Sequence, residues 1–173
     1  MSGPICGYIM ITLHPTLASH ADDIAALLNT AFGPGFRART AERLRENNTA
    51  IAALAYIARD QHDALVGSIS YWPVRLGRAA GLLLGPLAVD ARVQGKGVGV
   101  QLMQTTLDLV DPARFAFVIL VGDLDYYARM GFATAPAQVH LPGPVDPARL
   151  LIRAEESVFE QLSGTLRPAP ELC

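Results

Sequence analysis

Apolar residues recur at helical spacing in two stretches of the chain and alternate or run nearly unbroken in several shorter ones. Residues 8–13 read as a first strand, after which Ser19 is placed to cap a helix with Asp22 three residues on, an acidic capping box. That helix runs to about Phe32 on the stripe Ile24, Leu27, Leu28 and Ala31, and Gly33-Pro34-Gly35 ends it. Thr40, Arg43, Leu44 and Asn47 suggest a short polar second helix. Residues 50–57 and 64–74 then form a hairpin about the polar turn 59–63. Tyr71 and Trp72 at its outgoing end either cover the core edge or wall a pocket. The run 79–89 is a core strand, and Pro86, having no N–H to give a ladder, implies a bulge in it. A helix over about 97–110 buries Val98, Leu102, Met103, Thr106, Leu107 and Val110, and Asp111-Pro112 stops it. Residues 115–121 have the continuous apolar character of a central strand. Beyond Phe132, prolines break the pattern, leaving short strands near 138–141 and 150–153 and a loose tail over 160–173.

With 173 residues, 51% hydrophobic and a formal net charge of −2, one domain with its core over about 8–155 is expected. The near-neutral balance and the absence of a Lys/Arg run argue against a nucleic-acid partner. The run 79–89, broken by Gly81, Gly85 and Pro86, is far shorter than the roughly 20 residues that span a bilayer, so no membrane association is expected. The first residues carry neither a basic region nor a long apolar one, which favours the cytoplasm. Cys6 and Cys173 lie far apart, and His14, His20, His62 and His140 are scattered without ligand spacing, so no metal is expected.

The chemistry concentrates in residues 87–103: an apolar strand, a glycine-rich turn, then an amphipathic helix. Glycines at 95, 97 and 99 allow unusual backbone angles and clear the way for N–H groups to converge on an anion, and the helix start adds more. A nucleotide P-loop is excluded, because Lys96 is followed by Gly97 with no Ser or Thr placed for magnesium. A dinucleotide fingerprint fits poorly, since the third glycine comes one residue early.

Gln94-Gly95-Lys96-Gly97-Val98-Gly99, preceded by Leu87-Ala88-Val89, resembles the pyrophosphate loop and fourth strand of the GNAT acyltransferase superfamily. Residues 118–132, ending in Tyr127-Ala128-Arg129-Met130-Gly131-Phe132, look like its later strand and Tyr-x-x-x-Gly-Phe helix. The Gly122-Asp123-x-x-Tyr126-Tyr127 wording, with Phe32-Gly33-Pro34-Gly35 upstream, resembles the YhbS-like subgroup. Many members carry an Asn and an Ala ahead of the tyrosine, and this chain does not.

The resemblance implies an α/β (α+β) fold, a central mixed, twisted sheet flanked by helices whose splayed strand pair holds CoA. It implies an N-acetyltransferase moving the acetyl group of acetyl-CoA to a primary amine, with a non-catalytic acyl-CoA module as the alternative. Leu87, Ala88 and Val89 would meet the pantetheine through their backbone, with an N–H near Val89 polarising the thioester. Gln94, Gly95, Lys96, Gly97, Val98 and Gly99 would hold the diphosphate, and Tyr127 would protonate the leaving thiolate. Glu42, Glu46, Asp123 and Asp125 are all eligible as bases, and none is singled out. The acceptor side is expected from residues 33–45, 70–78 and 134–150, where Arg37, Arg39 and Arg43 suit either an acidic acceptor or a solvated helix face, with the acceptor's identity and a homodimer left open.

Overall fold

The computed structural model describes residues 9–35 and 40–173. Cys6, Arg37, Arg39 and the start of the first expected strand lie outside them. The first strand, β1, is Thr12–Pro15. It leads through a 3-10 turn over Ala18–His20 into α1, Ala21–Phe32. Ser19 is therefore not the cap: the turn places His20 there, its Nδ1 accepting from the Leu17 N–H at 3.1 Å. Of the expected stripe only Leu27 is fully buried. The helix ends on Gly33 at φ +76°, a conformation that favours glycine.

The expected second helix is a 3-10 turn over Thr40–Leu44, with Leu44 wholly buried. β2 (Tyr56–Arg59) and β3 (Leu65–Leu76) form the hairpin, whose turn is tied by the Asp60 carboxylate accepting from the His62 and Ala64 N–H groups. After β4 (Ala79–Val89) come α2 (Val98–Leu107), β5 (Phe117–Val121) and the short α3 (Leu124–Tyr127). The remaining elements are β6 (Ala133–Thr134), β7 (Val139–His140), β8 (Leu150–Ala154), α4 (Glu156–Phe159), β9 (Gly164–Thr165) and β10 (Arg167–Pro168).

The main sheet runs β1-β2-β3-β4-β5-β8-β6, with β10 added to β3 and β7-β9 forming a separate parallel pair. Within the main sheet β4 and β5 run parallel and their neighbours antiparallel, the mixed sheet expected. Successive residues of β5 feed opposite faces. Val118 and Leu120 pack with Leu102 and Met103 of α2, while Phe117 and Ile119 join Leu44, Leu83 and Ile152 on the other side. Both faces are thus covered, which is why β5 reads as an unbroken apolar run.

The segment expected as a loose tail is packed instead. Leu162, Leu166 and Ala169 are buried, Arg75 and Glu171 pair at 2.8 Å, and the Cys173 thiol donates to the Thr49 carbonyl. Prolines at 168 and 170 shorten the strand without preventing two residues from pairing with β3.

At Gly81 a Cβ would fall 2.4 Å from the Phe117 ring. Gly81→Ala should therefore lower stability by about 2–3 kcal/mol. Urea unfolding checks this, and a midpoint unchanged from the wild type would mean that Phe117 yields freely.

Candidate active site

Registered pairing between β4 and β5 ends at Leu83 with Ile119, so the two parallel strands part beyond it. The departure coincides with a break in the β3–β4 register: Ile69 faces Leu87 and Tyr71 faces Leu84, leaving Gly85 and Pro86 opposite Ser70 alone. This is the bulge that Pro86 announced, and the Gly85–Pro86 bond is cis. A short relay pins it, the Trp72 indole donating to Ser70 Oγ and Ser70 Oγ to the Gly85 carbonyl.

The register also decides which backbone groups face the opening. The Asp90 N–H donates to the Val66 carbonyl, and alternate residues of an antiparallel pair bond to the same neighbour, so Ala88 and Asp90 serve β3. Leu87 and Val89 then turn their N–H and C=O groups towards the splay. The Gln94 amide, donating to the Val89 carbonyl at 3.3 Å, marks that side.

At the far end of β4 the turn is exposed over 94–97, while Val98 and Gly99 are buried. Gly95 (φ +75°) and Gly97 (φ +83°) use the left-handed region, and Gly97 caps α2. The N–H groups of Val98, Gly99 and Val100 have no carbonyl one turn earlier and open outward with the positive end of the helix. Gly99 differs from the expectation of a special backbone angle, since it is helical. Its missing Cβ would lie 2.6 Å from the Tyr126 hydroxyl, so it makes room for that oxygen beside Leu87 and Val89.

Tyr127 has a corresponding seat on Gly122, where a Cβ would lie 2.3 Å from its ring. Tyr126 and Phe132 meet it edge-on at 4.9 and 5.9 Å between ring centres. Burial, with smaller contributions from Tyr126 and Asp123 and against Arg149, pushes the Tyr127 phenol up to about 12. Burial also raises the Tyr126 phenol, opposed by Arg129.

These pieces converge on a cleft of about 700 Å³. One wall is β4 from Leu83 to Leu87, facing the end of β5, Asp123 and the two tyrosines. The rest of the lining comes from Glu42 of the 3-10 turn and Arg45 just after it, both largely buried, and from Pro144, Val145, Asp146 and the half-exposed Arg149. Of the expected site residues, Leu87 and Tyr127 line this cleft. Ala88 is buried against β3, and Val89 and the turn 94–99 lie beyond the lining, linked to it by the Tyr126 hydroxyl over Gly99. Lys96 is exposed on the turn. Of the segments expected on the acceptor side, 40–45 and 144–149 contribute and 70–78 do not; Tyr71 is wholly buried, its hydroxyl 2.8 Å from Thr106 Oγ1.

The profile of the Acetyltransferase (GNAT) family matches residues 21–132. The chain belongs to the GNAT family. This GNAT acetyltransferase is 32% identical over 117 residues to the N-acetyltransferase YhbS of Escherichia coli K12, covering 66% of this chain and 69% of that one. The crystal structure of E. coli YhbS in complex with CoA superposes with a TM-score of 0.75, at 22% identity over 98% of this chain and 94% of that one. A GNAT acetyltransferase from Brucella melitensis in complex with acetyl-CoA gives a TM-score of 0.61, at 25% identity over 84% and 88% of the two chains.

As in those neighbours, the sheet of this acetyltransferase is mixed and flanked by helices. Among the described residues no group of three or more His, Cys, Asp or Glu side chains is gathered as metal ligands, and no helix is long and apolar enough to cross a membrane. Arg45, Asp146 and Arg149 lie within the segments expected on the acceptor side, although no local pattern in the sequence singles them out.

Proposed function

We propose that this acetyltransferase binds acetyl-CoA along the β4–β5 splay and passes the acetyl group directly to a primary amine. The observation that carries the reading is the unpaired edge of β4, with Leu87 and Val89 offering backbone groups towards a cleft that also holds Tyr127. An extended amide chain such as pantetheine can pair with that edge as a missing strand would. Its diphosphate then reaches the N–H groups of the turn at Gly95 to Gly99 and the start of α2. Lys96 adds a positive charge there, while Gln94 and Val98 shape the turn. The YhbS and Brucella structures, bound to CoA and acetyl-CoA, support this cofactor class.

In the transfer, the lone pair of the neutral amine attacks the thioester carbonyl, whose oxygen gains charge near one backbone N–H of the Val89 region. The C–S bond breaks, the sulfur takes the Tyr127 phenol proton, and the surplus amine proton leaves through solvent. Restoring the phenol from water closes the cycle.

The test is calorimetry with acetyl-CoA followed by thiol release with a panel of primary amines. Binding together with amine-dependent thiol release is expected. Binding without release for every amine would make the chain a non-catalytic acyl-CoA module, and absence of binding by folded protein would overturn the reading.

A further inference from the structure

Arg45 is the most deeply placed cation of the cleft. It follows Leu44, whose side chain is wholly buried, so the 3-10 turn carries the guanidinium inward beneath the bulge of β4. Only 11% of its side chain is exposed, against 50% for Arg149 at the mouth. Its Nη1 donates to Glu42 Oε1, and its Nη2 lies 3.2 Å from where a Gly85 Cβ would be. Its Nε is buried without a hydrogen-bond partner. Glu42 occupies Nη1 and Nε is closed off from the cleft, so Nη2 is the donor left to a ligand. A buried cation is costly, and a second anion brought by a ligand relieves it.

We propose that Arg45 is an acceptor-binding residue whose Nη2 takes a carboxylate of the amine substrate, making the acceptor an amino acid or similar amino-carboxylate. This rests on the acetyltransfer reading above. Glu42 in the same lining is Arg45's ion-pair partner, and Asp123 pairs with Arg149 at 3.2 Å on the more exposed side of the cleft. The carboxylate of such a substrate meets Arg45, and the bulge beside Arg45 leads along β4 to the edge proposed for the thioester.

The experiment compares leucine, β-alanine and γ-aminobutyrate with their respective amides, by thiol release from acetyl-CoA in the wild type and in Arg45→Lys and Arg45→Met. Leucinamide has the less basic amine and so presents more of the reactive neutral form than leucine. A preference for the acid therefore comes from its carboxylate. We expect kcat/KM for at least one acid to exceed that of its amide tenfold or more, and the ratio to fall to one or below in both variants while acetyl-CoA affinity is unchanged. A wild-type ratio of one or less for all three pairs, or a ratio untouched by both substitutions, overturns the inference even though acetyltransfer stands; the wild-type ratio alone decides if neither variant folds. If acetyl-CoA binds but no amine is turned over, calorimetry of the same acids and amides with the CoA-loaded protein decides: binding of an acid over its amide, lost in Arg45→Met, supports the carboxylate site, and equal or absent binding overturns it.

Discussion

Tyr127→Phe is expected to lower kcat for amine acetylation by about 100-fold or more, with acetyl-CoA affinity within about twofold of the wild type. The substitution removes one oxygen and keeps the ring, so the packing on Gly122 and the edge-on contacts with Tyr126 and Phe132 survive. What is lost is the proton for the departing sulfur. The pH profile gives an independent check. An ordinary phenol ionises near pH 10, so a Tyr127 of that kind would be half lost as donor at pH 10. Raised to about 12 by burial, Tyr127 keeps its proton throughout the range 8 to 10, and kcat should not fall there on its account. A raised phenol is a weaker acid, yet it meets a thiolate formed in the same partly dry cleft, where desolvation raises the basicity of sulfur too. Single-turnover thiol release in the two proteins measures the chemical step, and equal rates would remove Tyr127 from the mechanism.

The parts of the site that were legible in the sequence are those whose signals are local. The β4 strand, its glycine turn and α2 are adjacent in the chain, and Pro86 reports its bulge because a missing N–H has a direct consequence for a ladder. The buried positions Val98, Leu102, Met103, Thr106 and Leu107 follow from period alone. The failures share a different cause. Gly99 sits in a glycine-rich run that suggests a special backbone angle, whereas its reason is the hydroxyl of Tyr126 arriving from another element. Arg45 lies among polar residues that suggest a solvated helix, and only the burial of Leu44 on the opposite face of the sheet turns that segment inward. The C-terminal strands are two residues long, too short for any period, and exist because β9 finds β7 and β10 finds the edge of β3 that β2 leaves uncovered at Val74 and Arg75. Ser19 has the right chemistry for a cap but sits one residue too early, since the chain enters α1 through a 3-10 turn.

Gly97→Glu is expected to weaken acetyl-CoA binding by at least 100-fold while leaving the protein folded. Nothing lies within 4 Å of the position a Cβ would take, so the new side chain meets no steric barrier and stands in solvent at the start of α2. Two effects act on stability with opposite sign. The left-handed backbone at φ +83° costs a non-glycine residue roughly 1–2 kcal/mol. A carboxylate beside the first-turn N–H groups returns about 0.3–1 kcal/mol through the helix dipole. On binding, the same carboxylate acts in one direction only, because it competes for the N–H groups proposed to hold the diphosphate and repels its charge. Stability should thus change little while affinity collapses, a pattern that unfolding by strain cannot imitate. Gly97→Asn separates the terms: asparagine tolerates the left-handed region and carries no charge, so it should hold acetyl-CoA within about tenfold of the wild type. Calorimetry on the three proteins, with thermal unfolding alongside, reads both quantities. Wild-type affinity in the glutamate variant would mean that the diphosphate is not held at this turn, and equal losses in both variants would assign the effect to backbone shape rather than charge.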